Sequence, residues 1–165
     1  MKKTLLLFLA VFATSALAQE RPAWQSVELT NAATGEVFTL GGFEGKSVFV
    51  EPMATWCGNC RTQLGKVNAA ISEAGEDSVF VALSVEGNLA NEQLAVYAEK
   101  EGFNMIFAIA PTDLLRGLVD AFGREITSPP STPHFIIRPD GTTTDLVTGR
   151  EAPEVILEQL AASKQ

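Results

Sequence analysis

The sequence predicts one α/β domain, a mixed central sheet covered by helices, with a β-hairpin in front of it. Three observations predict this. Apolar, strand-like runs alternate with helix-like stretches between Ser47 and Phe122. One of those runs, Val79 to Val85, is apolar almost without a break, as a strand covered on both faces requires. The alternation then gives way to two β-prone runs around Pro139, Asp140 and Gly141, a hairpin signature that adds an antiparallel strand.

The elements follow in order. Met1, Lys2 and Lys3 form a basic start, Leu5 to Ala13 an apolar stretch, and Ala16-Leu17-Ala18 a small-x-small site. That combination predicts a signal peptide over 1–18, cleaved after Ala18, with an exported domain over 19–165. The apolar stretch is too short to cross a bilayer. Residues 19–25 read as an exposed lead-in. Val27 to Leu29 and Val37 to Leu40 flank Asn31 to Gly35 and predict the leading hairpin. Ser47 to Glu51 is a strand, Gly58 to about Gly75 a helix, and Val79 to Val85 the buried strand. Leu89 to Glu101 is a helix and Met105 to Ile109 a short strand. Asp113 to Phe122 is a helix between Pro111 and Gly123. Residues 123–132 form a Pro- and Ser-rich loop. His134 to Arg138 and Thr142 to Val147 make the second hairpin, and Pro153 to Ala162 the last helix, with proline in its first turn.

Composition narrows the function. At 46% hydrophobic residues, 165 residues can bury a core without covalent support. The formal charge is −8, and loss of residues 1–18 removes two lysines and no acid. Such an acidic chain argues against nucleic acid or an anionic membrane as partner.

Only two cysteines are present, Cys57 and Cys60, at the junction of a strand and a helix. Residues at i and i+3 on a helix share a face, with Cβ atoms ~5–6 Å apart. A disulfide needs Cα atoms ~4.4–6.8 Å apart. The pair can therefore open and close with little backbone movement. A cross-link over so short a loop restricts the unfolded chain little, so a redox switch fits better than a staple. Beyond the membrane, disulfides persist, and such a pair cycles only if a partner system moves electrons.

Cys-x-x-Cys at a strand-to-helix junction resembles thioredoxin. Ala54 to Arg61 resembles that superfamily's active-site segment, and Thr132-Pro133 before an apolar strand and Pro139-Asp140-Gly141 resembles its cis-proline loop and hairpin. The exported start, the leading hairpin and Gly45-Lys46 are similar to the TlpA-like branch of exported thiol-disulfide oxidoreductases, some of which serve cytochrome c maturation. The resemblance spans about residues 26–162. It implies a thioredoxin-like fold and a redox-active Cys57–Cys60 disulfide that reduces or exchanges disulfides in partner proteins. Substrate proteins with disulfides or thiols, and a membrane electron donor or acceptor system, are the implied partners. No cofactor or metal is implied, and the chain is expected to be a monomer in the periplasm or secreted. Two other readings stand beside it: a protein presenting thiols to a copper site, and a redoxin-type peroxidase.

Residue roles follow from the resemblance. Cys57 is expected to attack, at a helix N-terminus whose free N–H groups favour thiolate. Lowering a thiol from ~8.5 to ~7 takes about 2 kcal/mol, and the helix end supplies ~0.3–1 kcal/mol at an exposed site, so a further hydrogen bond is needed. Cys60 is the expected resolving thiol. Glu51, at the inner end of a central strand, is the expected proton acceptor, desolvated and raised in pKa. Trp56, Thr132 and Pro133 are expected to bind substrate. Trp56 would lie exposed beside Cys57. Thr132 would offer its backbone to an extended segment. Pro133 would be cis and face the cysteines.

Five positions need separate comment. His134, the only histidine, is close to the cysteines if Pro133 faces them and could then tune Cys57 or complete a Cys57/Cys60/His134 metal site; against this, a closed zinc site wants four ligands and none is evident, and the next strand position alternates away, so a structural or surface role is expected. Asn59 stands where the motif often has proline, which leaves the potential open. Gln63 stands where many TlpA-like proteins carry a glutamate. Gly65 stands where thioredoxins kink the helix with proline. Pro52 removes a ladder donor, so the strand is expected to stop or bulge there.

Overall fold

The computed structural model describes residues 21–165, so the signal peptide expected over 1–18 lies outside the described residues. Four strands form one sheet: β3 (Ser47–Met53), β4 (Ser78–Ser84), β5 (Ile106–Ile109) and β6 (Phe135–Ile137), after a separate hairpin of β1 (Leu29–Thr30) and β2 (Val37–Phe38). The order is β5-β4-β3-β6. β3, β4 and β5 run parallel, and β6 pairs antiparallel with β3. The helices are α1 (Gly58–Ile71), α2 (Asn91–Glu101), α3 (Thr112–Phe122) and α4 (Pro153–Ala162). The expected mixed sheet, helical cover and leading hairpin are all present.

Alternation along the strands divides the core. Val48, Val50, Val81, Leu83, Phe135 and Ile137 face α3, where Leu114 and Leu118 cover them. Phe49, Met53, Phe80, Ala82 and Ile136 face α1, α2 and α4 through Leu64, Val67, Leu94, Ile156 and Leu160. α1 is therefore pressed onto the face that carries the odd-numbered residues of β3.

Three elements differ from expectation. The lead-in is not exposed. Ala23–Ser26 is a 3-10 turn that buries Trp24 and Gln25. Trp24 packs edge-on against Phe122 and Phe135, and Gln25 donates to the Gly141 carbonyl at 2.8 Å. Second, the return arm of the closing hairpin is not a regular strand. It bridges only at His134–Val147 and Ile137–Thr143, a register that slips by one residue, so a bulge lies between. There the Ile136 N–H donates to the Thr144 hydroxyl instead of a carbonyl. Third, residues 124–131 hold two 3-10 turns, Arg124–Thr127 and Pro129–Ser131, within the expected loop.

Pro52 neither ends β3 nor bulges it; the strand continues to Met53, with Pro52 opposite Leu83. The Ser47 N–H donates to Asp77 and the Met53 carbonyl accepts from Val85, so odd residues of β3 point their polar groups at β4. Pro52 points the other way, beyond the end of β6, which stops with Phe135 opposite Val50. No ladder bond is lost. Carried two residues further, the β3–β6 register sets Pro52 opposite Pro133, two residues without donors that close the ladder from both sides.

Candidate active site

Cys57 is the N-cap of α1, and its sulfur accepts the Cys60 N–H at 3.1 Å. This is the contact a serine or aspartate cap makes, and it turns an orphan helix donor onto the sulfur. It is the extra hydrogen bond that a stabilised thiolate requires. Cys57 and Cys60 are paired as a disulfide, with Cα atoms 5.3 Å apart. Cys60 is fully buried and Cys57 is 4% exposed. Trp56, beside them, is 66% exposed, the exposure expected from its place beside Cys57.

The turn before Cys57 is held by a residue that sequence reasoning missed. The Glu86 carboxylate accepts the Thr55 N–H at 2.6 Å and the Thr55 hydroxyl at 3.1 Å. It also accepts from the Ser84 hydroxyl at 3.2 Å. A signal was available: Glu86 follows an apolar strand at its C-terminal end, where parallel sheets gather their sites.

Glu51 lies on the sheet face that α1 covers, between Phe49 and Met53, and is 1% exposed. Neither carboxyl oxygen is hydrogen-bonded among the described residues. Burial alone pushes its pKa well above the usual carboxylate value.

The loop after α3 meets the cysteine helix through backbone carbonyls. Cys60 Sγ lies 3.1 Å from the Pro129 oxygen, and the Asn59 amide donates to the Pro130 oxygen at 3.0 Å. Sequence reasoning expected a cis Pro133 to face the cysteines. Pro133 is buried, but the Thr132–Pro133 bond is trans, as are all described peptide bonds, which corrects the cis expectation. Thr132 instead makes the turn, at φ 48°, ψ 56°, the one described non-glycine residue with positive φ. Its N–H donates to Pro129 at 2.8 Å, and its carbonyl lies 3.0 Å from His134 Nδ1.

His134 does not turn away from this face. It is 1% exposed, stacks on Phe49 with centroids 5.2 Å apart, and reaches Glu151 Oε2 with Nε2 at 2.9 Å. The Glu151 N–H donates to Gln63 Oε1 at 2.9 Å, and Gln63 is fully buried on α1. Gln63 thus ties α1 to the His134 segment. Among the described residues no cluster of three His, Cys, Asp or Glu side chains could hold a metal.

No protein-family model matches the sequence, and no curated protein matches it. Solved structures do match its shape. A thiol:disulfide interchange protein of the thioredoxin family from Chlorobium tepidum is 19% identical, with a TM-score of 0.67 over 83% of this chain and 92% of that one. The exposed lipoprotein thioredoxin of Streptococcus pneumoniae is 21% identical, with a TM-score of 0.63 over 82% and 98%. A secreted Mycobacterium tuberculosis disulfide oxidoreductase homologous to E. coli DsbE is 17% identical, with a TM-score of 0.63 over 84% and 96%. At such identities the likeness is one of fold, and the fold of this chain is thioredoxin-like.

Proposed function

We propose that the chain is an exported thiol-disulfide oxidoreductase of the TlpA-like kind, which reduces or exchanges disulfides in partner proteins through Cys57 and Cys60. The observation that carries this reading is the Cys57 sulfur at the N-cap of α1, accepting the Cys60 N–H, with Cys60 in bonding distance behind it.

In the reductive direction the Cys57 thiolate attacks one sulfur of a substrate disulfide. A mixed disulfide forms and the other substrate sulfur leaves as a thiolate. Cys60 then gives up its proton and attacks the Cys57 sulfur. The second substrate thiolate is released and Cys57–Cys60 closes. Two electrons pass from the pair to the substrate. Glu51 in its ionised form, made a stronger base by burial, takes the Cys60 proton in this scheme. Until then the Pro129 carbonyl holds the Cys60 S–H. Trp56 and the Thr132–Pro133 segment meet the substrate. A membrane electron system resets the pair.

Export rests on the motif in residues 1–18, and the exposed or secreted proteins among the structural neighbours accord with it. The deciding experiment is reduction of insulin, expected to be lost in Cys57→Ser. The Cys57–Cys60 potential against glutathione then fixes direction. A value near ~−250 mV or below supports a reductase, and a value near ~−120 mV makes it an oxidant.

A further inference from the structure

β3 and β4 end side by side, with Met53 paired to Ser84 and the Val85 N–H donating to the Met53 carbonyl. The loops that leave them start as neighbours at the C-terminal edge of the sheet, where parallel sheets gather their sites. One loop carries Trp56 and Cys57. The other, before α2, forms a hollow of about 420 Å³ lined by Glu86, Gly87, Asn88, Leu89 and Gln93. The Glu86 contact to Thr55 ties this hollow to the turn just ahead of Cys57.

The charge of Glu86 has no opposite beside it. Its oxygens accept from one N–H and two hydroxyls, all neutral donors. A carboxylate has about four acceptor sites, so one is left open. Among the described residues no lysine, arginine or histidine pairs with it. A carboxylate partly withdrawn from water gains from a cation that reaches it. The rest of the hollow suits the stem that carries such a cation. Leu89 is half-buried against the core, an apolar surface of the kind along which lysine and arginine lay their methylenes. Gln93 Oε1 already accepts the Ala90 N–H at 3.0 Å, so the charge comes from Glu86. The N-terminus of α2 borders the hollow and favours anions, but Glu92 in its first turn offsets it. The chain as a whole carries −8, which draws basic partners.

We propose that this hollow is a subsite for a lysine or arginine that flanks the disulfide of a protein substrate, with Glu86 as the residue that sets the preference. This rests on the thiol-disulfide reading above and names the chemistry of its partner. The basic side chain lies with its stem along Leu89 and its head on the open acceptor site of Glu86, while the substrate sulfur meets Cys57. Glu86 then has two tasks: it holds the Thr55 turn, and it selects the sequence around the disulfide that Cys57 attacks.

Peptide disulfides of one sequence, carrying Lys, Gln or Glu in turn at successive residues on either side of the cysteine, test this. At one or more positions the reduced protein is expected to prefer the Lys peptide to the Gln peptide by about three- to tenfold in kcat/KM, through KM, with the Glu peptide worst. The preference is expected to fall as salt is added. The ratio is expected to approach one in Glu86→Gln, whose amide oxygen can still accept the Thr55 N–H, and in Asn88→Lys, which puts a cation into the hollow. Any change in basal rate cancels in the ratio. Should Glu86→Gln not fold, Asn88→Lys alone decides. Equal kcat/KM for Lys and Gln peptides at every position, a preference for Glu, or a Lys preference that the variants leave unchanged would overturn the subsite. If wild type reduces neither these peptides nor insulin, the thiol-disulfide reading fails on its own. Titration of labelled protein with the Lys and Gln peptides then decides the hollow: larger shifts of the Gly87, Asn88 and Leu89 amides with Lys support it, and equal shifts overturn it.

Discussion

The side chain of Asn59 donates to the carbonyl of Pro130 across 71 residues of sequence, at 3.0 Å. One residue further along α1, Cys60 Sγ sits 3.1 Å from the Pro129 carbonyl. The first bond is independent of redox state. The second is a hydrogen bond only when Cys60 is a thiol, because a disulfide sulfur has no proton to give. The turn at Pro129–Ser131 is therefore tethered to α1 twice in the reduced protein and once in the oxidised one. Asn59→Ala is expected to speed hydrogen exchange of the Ser131 and Thr132 amides more in the oxidised protein than in the reduced. An equal increase in both would show that the sulfur contact contributes nothing.

Glu51 sets a pH dependence of stability. Its folded pKa is raised, so between the unfolded carboxyl value and the folded one the native state keeps a proton that the unfolded state has lost. The slope of stability is then negative, about 1.4 kcal/mol per pH unit at most. Stability from this group is complete below about pH 4.3, the unfolded value, and is lost as pH rises through the folded one. Glu51→Gln removes the loss. Urea midpoints measured from pH 4 to 9 are expected to fall more steeply in wild type than in Glu51→Gln. Parallel curves would show that Glu51 is not desolvated.

Glu86 holds the turn that presents Trp56 and Cys57. Its removal strands the Thr55 N–H, a donor whose partner is charged. Glu86→Ala is expected to cost about 1–3 kcal/mol in denaturant unfolding and to slow insulin reduction through misplacement of Cys57. An unchanged midpoint would assign the Thr55 contact no energetic role.

Two glycines in helices are expected to respond with opposite signs. A Cβ at Gly65 meets nothing within 4 Å, and α1 passes through it unbroken. Gly65→Ala is expected to raise stability by about 0.5–1 kcal/mol, the ordinary backbone cost of glycine in a helix. A Cβ at Gly117 would stand 2.5 Å from the Trp24 Cβ. Gly117→Ala is expected to destabilise by about 1–3 kcal/mol, because it pries the lead-in off α3. Thermal melts of the two variants give the signs directly.

The elements that were legible in sequence are those whose cause is local. Period-2 and near-continuous apolar runs gave β3 and β4, and capping residues bounded α3 and α4. Trp24 was misjudged because its burial depends on a glycine 93 positions away. The return arm of the closing hairpin was misjudged because the Thr144 side chain competes with its own backbone for the Ile136 N–H.

The site divides in the same way. Its cysteines were legible because two thiols one helical turn apart have few other uses, and Glu51 because an acid ending an apolar strand is conspicuous. The sequence by itself determined the pair, its place at the start of a helix and the acid beneath the sheet. Only the tertiary structure decided what surrounds them: the carbonyls of Pro129 and Pro130 against α1, Glu86 under Thr55, and the His134–Glu151–Gln63 chain behind Thr132. The reason is physical. Periodicity and caps are written in neighbouring residues, whereas a backbone carbonyl carries no residue identity and a buried polar side chain acquires its partner from another part of the chain.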